Sequence, residues 1–326
     1  MDYSDRSDLQ TVEPRDRHDI ENQIQDITHR GYCIIRNALR SDQVDAMAAR
    51  LLEQSRAELA GGIDNRETVD QQSLGASRWP LESSDPTQWV SLLPNKGEIF
   101  HELLLNPPVY ELGKHFIGGA CIVSDCAARI TKPGSPAMQL HTDQWWMPKP
   151  VMPLDARQPA ANIERKQPGL ASPDPANHPI SPQVTLTSLY ALVDIDAEMG
   201  PTRFVPGSHL SGGLPDDNRE YDEISPPLER GSALVFDGRI WHGAAANRSR
   251  KERHTVLVLY TGPQFRQIAN FSYGLRPEVS SAFNDEVRDV LGYRLWNGYG
   301  ATEDYSADYA TPGIENPASM KTTPGS

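Results

Sequence analysis

The residues best suited to chemistry stand in Gln139-Leu140-His141-Thr142-Asp143, with His242 and Arg253 further along the chain. In an extended strand, residues two apart point to the same side. His141 and Asp143 can therefore face one interior together, with Gln139 beside them and Leu140 and Thr142 turned away. An imidazole and a carboxylate from one strand fill two adjacent corners of a metal's coordination sphere. His242, in RIWHGAAANRS at the end of a later strand, is the natural third ligand. Two histidines and one carboxylate on one face of a metal leave positions open, as iron(II) oxygenases require for a co-substrate and O₂. Catalytic zinc sites can use the same three groups but usually need a single open position.

Arg253 lies 11 residues after His242, at the head of RHTVLVLY. A turn around Asn247 to Lys251 brings the next antiparallel strand back, and Arg253 with it, towards the metal. A guanidinium there can hold a carboxylate through two parallel hydrogen bonds. 2-Oxoglutarate is a dicarboxylate that chelates iron by its 2-oxo acid end. Its far carboxylate needs a cation some way from the metal. The pattern thus supplies a metal, open positions and an anchor for an anionic co-substrate.

The elements that must position these groups are legible in outline. GYCIIRNAL at 31–39 reads as a strand. SDQVDAMAARLLEQSRAEL reads as a helix, with Ser41 as N-cap and Val44, Met47, Leu51 and Leu52 at helical spacing. A second helical stretch spans IFHELLL and VYELGKHFI, interrupted by Pro107 and Pro108. From about residue 120 the texture changes to short apolar or alternating runs: ACIVSDCAARI, MQLHTDQWW, VTLTSLYALVDI, TRFVP, GSALVFDG, RIWHGAAA and RHTVLVLY. Helices followed by strands predict an α+β, mainly β domain: a sandwich or barrel with helices packed on one face. Residues 147–182 are dense in proline and nearly without periodicity. A loop this long is functional or disordered. Following HTDQWW directly, it is expected to overhang the site as a lid, the alternative being a surface insertion without a role. The expected organisation is a mobile arm over 1–18, one domain over 19–295 and a tail over 296–326.

Bulk properties narrow the partners. The net charge is -13, from 31 basic and 44 acidic residues. That field disfavours nucleic acid and anionic membrane surfaces, so a small molecule is the expected partner; a homodimer is allowed. Cys33, Cys121 and Cys126 form no close pair and read as reduced, buried thiols. MDYSDRSDLQ lacks the apolar core of a signal peptide, and no apolar run is long enough to span a membrane. A soluble, cytoplasmic protein is expected.

Taken jointly, QLHTDQWW, DIDAEMGPTRFVPGSH, GSALVFDGRIWHGAAANRS and the spacing of Arg253 resemble the phytanoyl-CoA dioxygenase family of iron(II)/2-oxoglutarate enzymes. The resemblance runs from GYCIIRNAL to about residue 262. It implies a double-stranded β-helix, a jelly-roll barrel with helices outside. It implies that His141, Asp143 and His242 bind iron(II), that Arg253 binds the 2-oxoglutarate carboxylate, and that Gln139 and Thr202 support it. With Asp143 present instead of a residue that leaves room for chloride, it implies O₂-dependent decarboxylation of 2-oxoglutarate to succinate and CO₂. Oxidation of an unactivated C–H bond accompanies this, hydroxylation by default. The family acts on acyl-CoA thioesters, amino acids and natural products, so the resemblance leaves the substrate open. A zinc- or manganese-dependent barrel hydrolase or isomerase is the competing reading, as is a non-catalytic scaffold, which would be expected to have lost a ligand. Of the other histidines, His209 reads as structural, and His254 should face away from Arg253 by strand alternation. Trp145 and Trp146 either cap the barrel's core or stack on a substrate at its mouth.

Overall fold

The computed structural model describes residues 12–63, 87–148, 180–216, 218–302 and 308–309. The N-terminal third is mainly helical: α1 (Ile20–Arg30), β1 (Tyr32–Ile35), α2 (Ser41–Ala60), β2 (Gln88–Val90), α3 (His101–Leu104) and α4 (Pro107–Phe116). The strand-rich part follows: β3 (Ile122–Thr131), β4 (Thr185–Ala191), β5 (Thr202–Val205), β6 (Ala233–Asp237), β7 (Trp241–Ala244) and β8 (Arg253–Thr261). Three short helices close the domain: α5 (Phe271–Gly274), α6 (Pro277–Ser280) and α7 (Asp285–Val290).

Six strands form one antiparallel sheet in the order β1-β6-β4-β8-β3-β2. β5 and β7 form a second sheet. Single bridges from His141 to His242 and from Phe204 to Ile224 add a chain segment to each of its sides. Strand alternation divides the large sheet. Val256, Val258 and Tyr260 of β8, with Cys126, Ala128 and Ile130 of β3, join the core under the helices. Thr187, Leu189, Leu257, Leu259 and Ala127 belong to the opposite face by register. Tyr32, Phe204, Leu234 and Phe236 pack between the two sheets, with Tyr32 stacked on Phe204 at 4.8 Å. Two facing sheets with helices outside one of them make the expected double-stranded β-helix.

The helices are held by apolar burial. α2 buries Val44, Met47 and Leu51, each side chain contributing about 1.5–3 kcal/mol. Pro107 begins α4, where its missing N–H costs nothing; the interruption expected there is a helix start. Tyr260 fastens α3 to the sheet by donating to the Leu104 carbonyl at 3.0 Å.

Several expectations need correction. Ser41 does not cap α2; Arg40 precedes the helix, and its backbone N–H donates to the Gln43 side chain at 2.9 Å. The strand expected in MQLHTDQWW is a single bridge at His141, and residues 143–146 turn. Of the arm expected over 1–18, residues 12–18 are described and are tied down. Arg15 exchanges backbone hydrogen bonds with the edge strand β1 and its following residue, and it pairs with Asp26 at 2.7 Å. Most of the proline-rich insertion, residues 149–179, lies outside the described residues. So does most of the tail, although Tyr309 meets Arg294 through a bridge and a hydrogen bond at 2.8 Å.

Candidate metal centre

Asp143 is placed by its backbone. Its N–H, and that of Gln144, both donate to the Gly238 carbonyl, at 2.8 and 3.2 Å. This ties the turn to the β6–β7 connection. Gly238 admits no side chain, because a Cβ there would come within 1.7 Å of Thr185 Oγ1. His141 and His242 exchange backbone hydrogen bonds at 2.9 and 3.0 Å, which sets their rings side by side, 4.2 Å apart. The next residue, Gly243, lets this pairing close up: a Cβ there would meet the Met138 and Gln139 carbonyls at 2.8 and 3.0 Å.

The side chains then converge. His141 Nε2 lies 3.7 Å from Asp143 Oδ1, and His242 Nε2 lies 3.5 Å from the same oxygen. One ligand atom from each residue lies within 4.8 Å of the others, the only such group of three among the described residues. Each imidazole has its other nitrogen committed: His141 Nδ1 to the Gln139 carbonyl at 3.1 Å, His242 Nδ1 to the Ile240 carbonyl at 3.0 Å. Carbonyls only accept, so Nδ1 carries the proton and Nε2 presents a lone pair. Asp143 Oδ2 accepts from Thr187 on β4 at 2.5 Å, which leaves Oδ1 for the centre. Two imine nitrogens and a carboxylate oxygen therefore face one another as acceptors. Such a set repels itself unless a cation sits among it. Burial pushes the Asp143 carboxyl up, but the adjoining His242 and His141 side chains and the hydrogen bond from Thr187 outweigh that. The group is held well below the usual carboxylate range. The donor set suits a transition metal of intermediate softness, iron(II) included.

The other expected residues are distributed around this centre. Arg253 is buried at the start of β8, opposite Thr131, and donates to its hydroxyl at 3.0 Å. It belongs to the same sheet face as Thr187 by register, and His254 belongs to the face turned away, as expected. Gln139 is exposed, and the contact it makes with the centre is its main-chain carbonyl. Thr202 stands on β5 opposite Ala244, two residues past His242. Trp145 and Trp146 are half-buried in the turn, and Trp146 packs on Phe265 at 5.1 Å. His209 faces the Thr28 carbonyl at 3.0 Å, a structural contact. The reading from spacing missed Thr187 and Gln144. Gln144 clasps the far end of the insertion, donating to the Pro182 carbonyl at 2.9 Å and accepting from Val184 N at 3.0 Å. Only the pairing of distant strands reveals either role.

Comparison with known proteins agrees with the fold. The family model described as Phytanoyl-CoA dioxygenase (PhyH) matches residues 27–255. Among curated proteins, the chain is similar to dioxygenase af480 of Aspergillus fumigatus, 25% identical over 206 residues, 62% of this chain and 57% of that protein. It thus spans little more than half of that relative's length. Among solved structures it is similar in fold to the epimerase SnoN in complex with Fe3+, alpha ketoglutarate and nogalamycin RO. The TM-score is 0.50 at 19% identity, covering 76% of this chain and 86% of the other. The non-heme alpha ketoglutarate dependent carbocyclase SnoK from nogalamycin biosynthesis is likewise similar, with TM-score 0.52 at 18% identity, covering 79% and 91%. With the family model matched over most of the double-stranded β-helix, this chain belongs to the phytanoyl-CoA dioxygenase family.

Proposed function

We propose that this protein is an iron(II)- and 2-oxoglutarate-dependent dioxygenase that oxidises a C–H bond of a small organic molecule, by default hydroxylating it, in secondary metabolism. The observation that carries the reading is the acceptor-only cluster of His141, Asp143 and His242, its Nδ1 protons fixed on carbonyls and its spare carboxylate oxygen fixed by Thr187. With bound iron(II), 2-oxoglutarate and O₂ supply succinate, CO₂ and an oxidant strong enough for an unactivated C–H bond. SnoN with its bound iron and alpha ketoglutarate, and SnoK from nogalamycin biosynthesis, support this chemistry and the metabolic setting.

The chain's own residues supply the rest. His141, Asp143 and His242 would hold the metal through three ligands, a set that in iron(II) oxygenases leaves positions for co-substrate and O₂. Arg253 presents its guanidinium to the far carboxylate of 2-oxoglutarate and is steadied by Thr131. Gln139 and Thr202 flank the co-substrate. Phe236, its ring 4.6 Å from that of His242, keeps water from the back of the centre. Trp145 and Trp146, on the turn that leaves the centre, stand where a substrate enters. The three cysteines are buried and unpaired, which fits the reducing cytoplasm.

The test is anaerobic reconstitution with iron(II), then admission of O₂ with 2-oxoglutarate and a panel of candidate substrates, reading succinate. Succinate release that requires iron, rises with one class of substrate and is abolished in His242→Ala supports the reading. Turnover with zinc, without O₂ consumption or succinate, overturns it.

A further inference from the structure

The large sheet turns one face inward, and its register lays that face out in rows. Thr187, Leu259 and Asp125 form one row; Leu189, Leu257 and Ala127 the next; Ala191, Thr255, Arg129 and Trp89 the third. The β1–β6 side is filled by Tyr32, Leu234 and Phe236. Towards β3 and β2 the packing opens. Leu189, Leu257, Asp125, Arg129 and Trp89 are each only half-buried, although each stands in a strand whose neighbours along the chain are buried. A run of half-buried residues on the inner face of the sheet marks a place where packing is incomplete, a chamber open to a ligand. Thr187, which holds Asp143, stands on the same face, buried one row beyond Leu189.

One charge in this chamber is unanswered. Arg129 lies over the Trp89 ring at 5.2 Å, which leans its guanidinium towards β2 and away from Arg253 on β8. Among the described residues Arg129 takes part in no ion pair, and its Nε is buried without a hydrogen-bond partner. Asp125, of opposite charge on the same strand face, stands four residues away, roughly 13 Å along an extended strand, too far to neutralise it. A protein of net charge -13 has many carboxylates, yet none among the described residues pairs with Arg129. A buried donor without a partner costs free energy until a ligand supplies one. A guanidinium held over an indole keeps its N–H fork, which can take a carboxylate through two parallel hydrogen bonds.

We infer that Arg129, held over Trp89, is a substrate-recognition residue, and that the organic substrate is an acid whose carboxylate pairs with Arg129 while its apolar body lies against Leu189 and Leu257. This deepens the function proposed above and rests on it. The place of Arg129 is separate from that of Arg253, so the chamber holds two carboxylates at once, one on the co-substrate and one on the substrate.

The test uses equilibrium binding to the full chain loaded anaerobically with iron(II) and 2-oxoglutarate. The probes are dodecanoate, abietate and naphthalene-2-carboxylate, each beside its methyl ester, followed by quenching of tryptophan fluorescence. Formation of the visible charge-transfer band of the iron(II)–2-oxoglutarate complex is recorded first. Its failure counts against the proposed function, whatever the probes do. With the band present, at least one acid is expected to bind about tenfold or more tightly than its ester, the scale of one charge-assisted pair. Arg129→Gln is expected to erase that preference without changing ester or 2-oxoglutarate affinity, and Arg129→Lys to restore part of it. No preference in the unaltered protein, a preference that survives Arg129→Gln, or a loss confined to 2-oxoglutarate affinity overturns the inference.

Discussion

Asp143 has two carboxylate oxygens, and only one faces the histidines. Thr187 takes the other at 2.5 Å, so it acts as a positioning residue that selects which oxygen is offered. Thr187→Val keeps the shape and loses the hydrogen bond. It is expected to weaken iron(II) binding about 10- to 100-fold, read by anaerobic equilibrium dialysis, with the fold intact by circular dichroism. Unchanged affinity would show that backbone placement alone orients the carboxylate. Arg253→Gln is expected to raise the KM for 2-oxoglutarate by about tenfold or more, with little change in the KM of the organic substrate. The reverse pattern contradicts the role given to it. Asp125 answers to pH. Burial pushes its carboxyl from 3.8 up to about 6. Between those values the folded chain holds a proton that the unfolded chain has lost. Stability from this group is therefore full below about pH 4 and declines as pH rises to about 6. Asp125→Asn should leave stability unchanged near pH 4 and raise it at pH 8 by up to about 3 kcal/mol, measured by urea unfolding at the two pH values.

At the scale of elements, the site hangs on connections more than on strands. The His141–Asp143 segment is one bridge and a turn, held by the Gly238 carbonyl and the backbone of His242. Gly238→Ala is expected to destabilise the protein by about 1–3 kcal/mol through overpacking. Adding Thr185→Ala should recover most of that, because Thr185 Oγ1 is the atom a new Cβ would strike. A double variant no better than the single places the strain elsewhere. The same connections explain what the amino-acid sequence reveals and what it conceals. The alternation of RHTVLVLY is written in the residues, so the opposite faces of Arg253 and His254 are legible, and the His-x-Asp spacing brings out the ligands directly. Thr187, Arg129 and Gly238 acquire their roles from partners 44, 40 and 53 residues away along the chain: Asp143, Trp89 and Thr185. Strand order β1-β6-β4-β8-β3-β2 is not chain order, and no local pattern encodes it. Ser41 misleads for a related reason. Serine is a good cap in isolation, but here the Gln43 side chain satisfies the Arg40 N–H and the helix begins at Ser41 itself.

For the whole molecule, an acidic chain sets Arg129 and Arg253 on one face of its large sheet, and gathers three metal-ligand atoms from the turn at His141–Asp143 and from β7. The helices stabilise the sheet from outside and leave its inner face free for chemistry. No helix among the described residues is long and apolar enough to cross a membrane. The central claim is that His141, Asp143 and His242 together hold one iron(II) to which 2-oxoglutarate binds. Anaerobic titration of the full chain with iron(II), with 2-oxoglutarate added afterwards, tests it most directly. One iron per chain is expected, with a visible charge-transfer band that appears only with 2-oxoglutarate, and both are lost in Asp143→Ala. Iron bound equally well by Asp143→Ala, or bound by the unaltered chain with no band on adding 2-oxoglutarate, contradicts it.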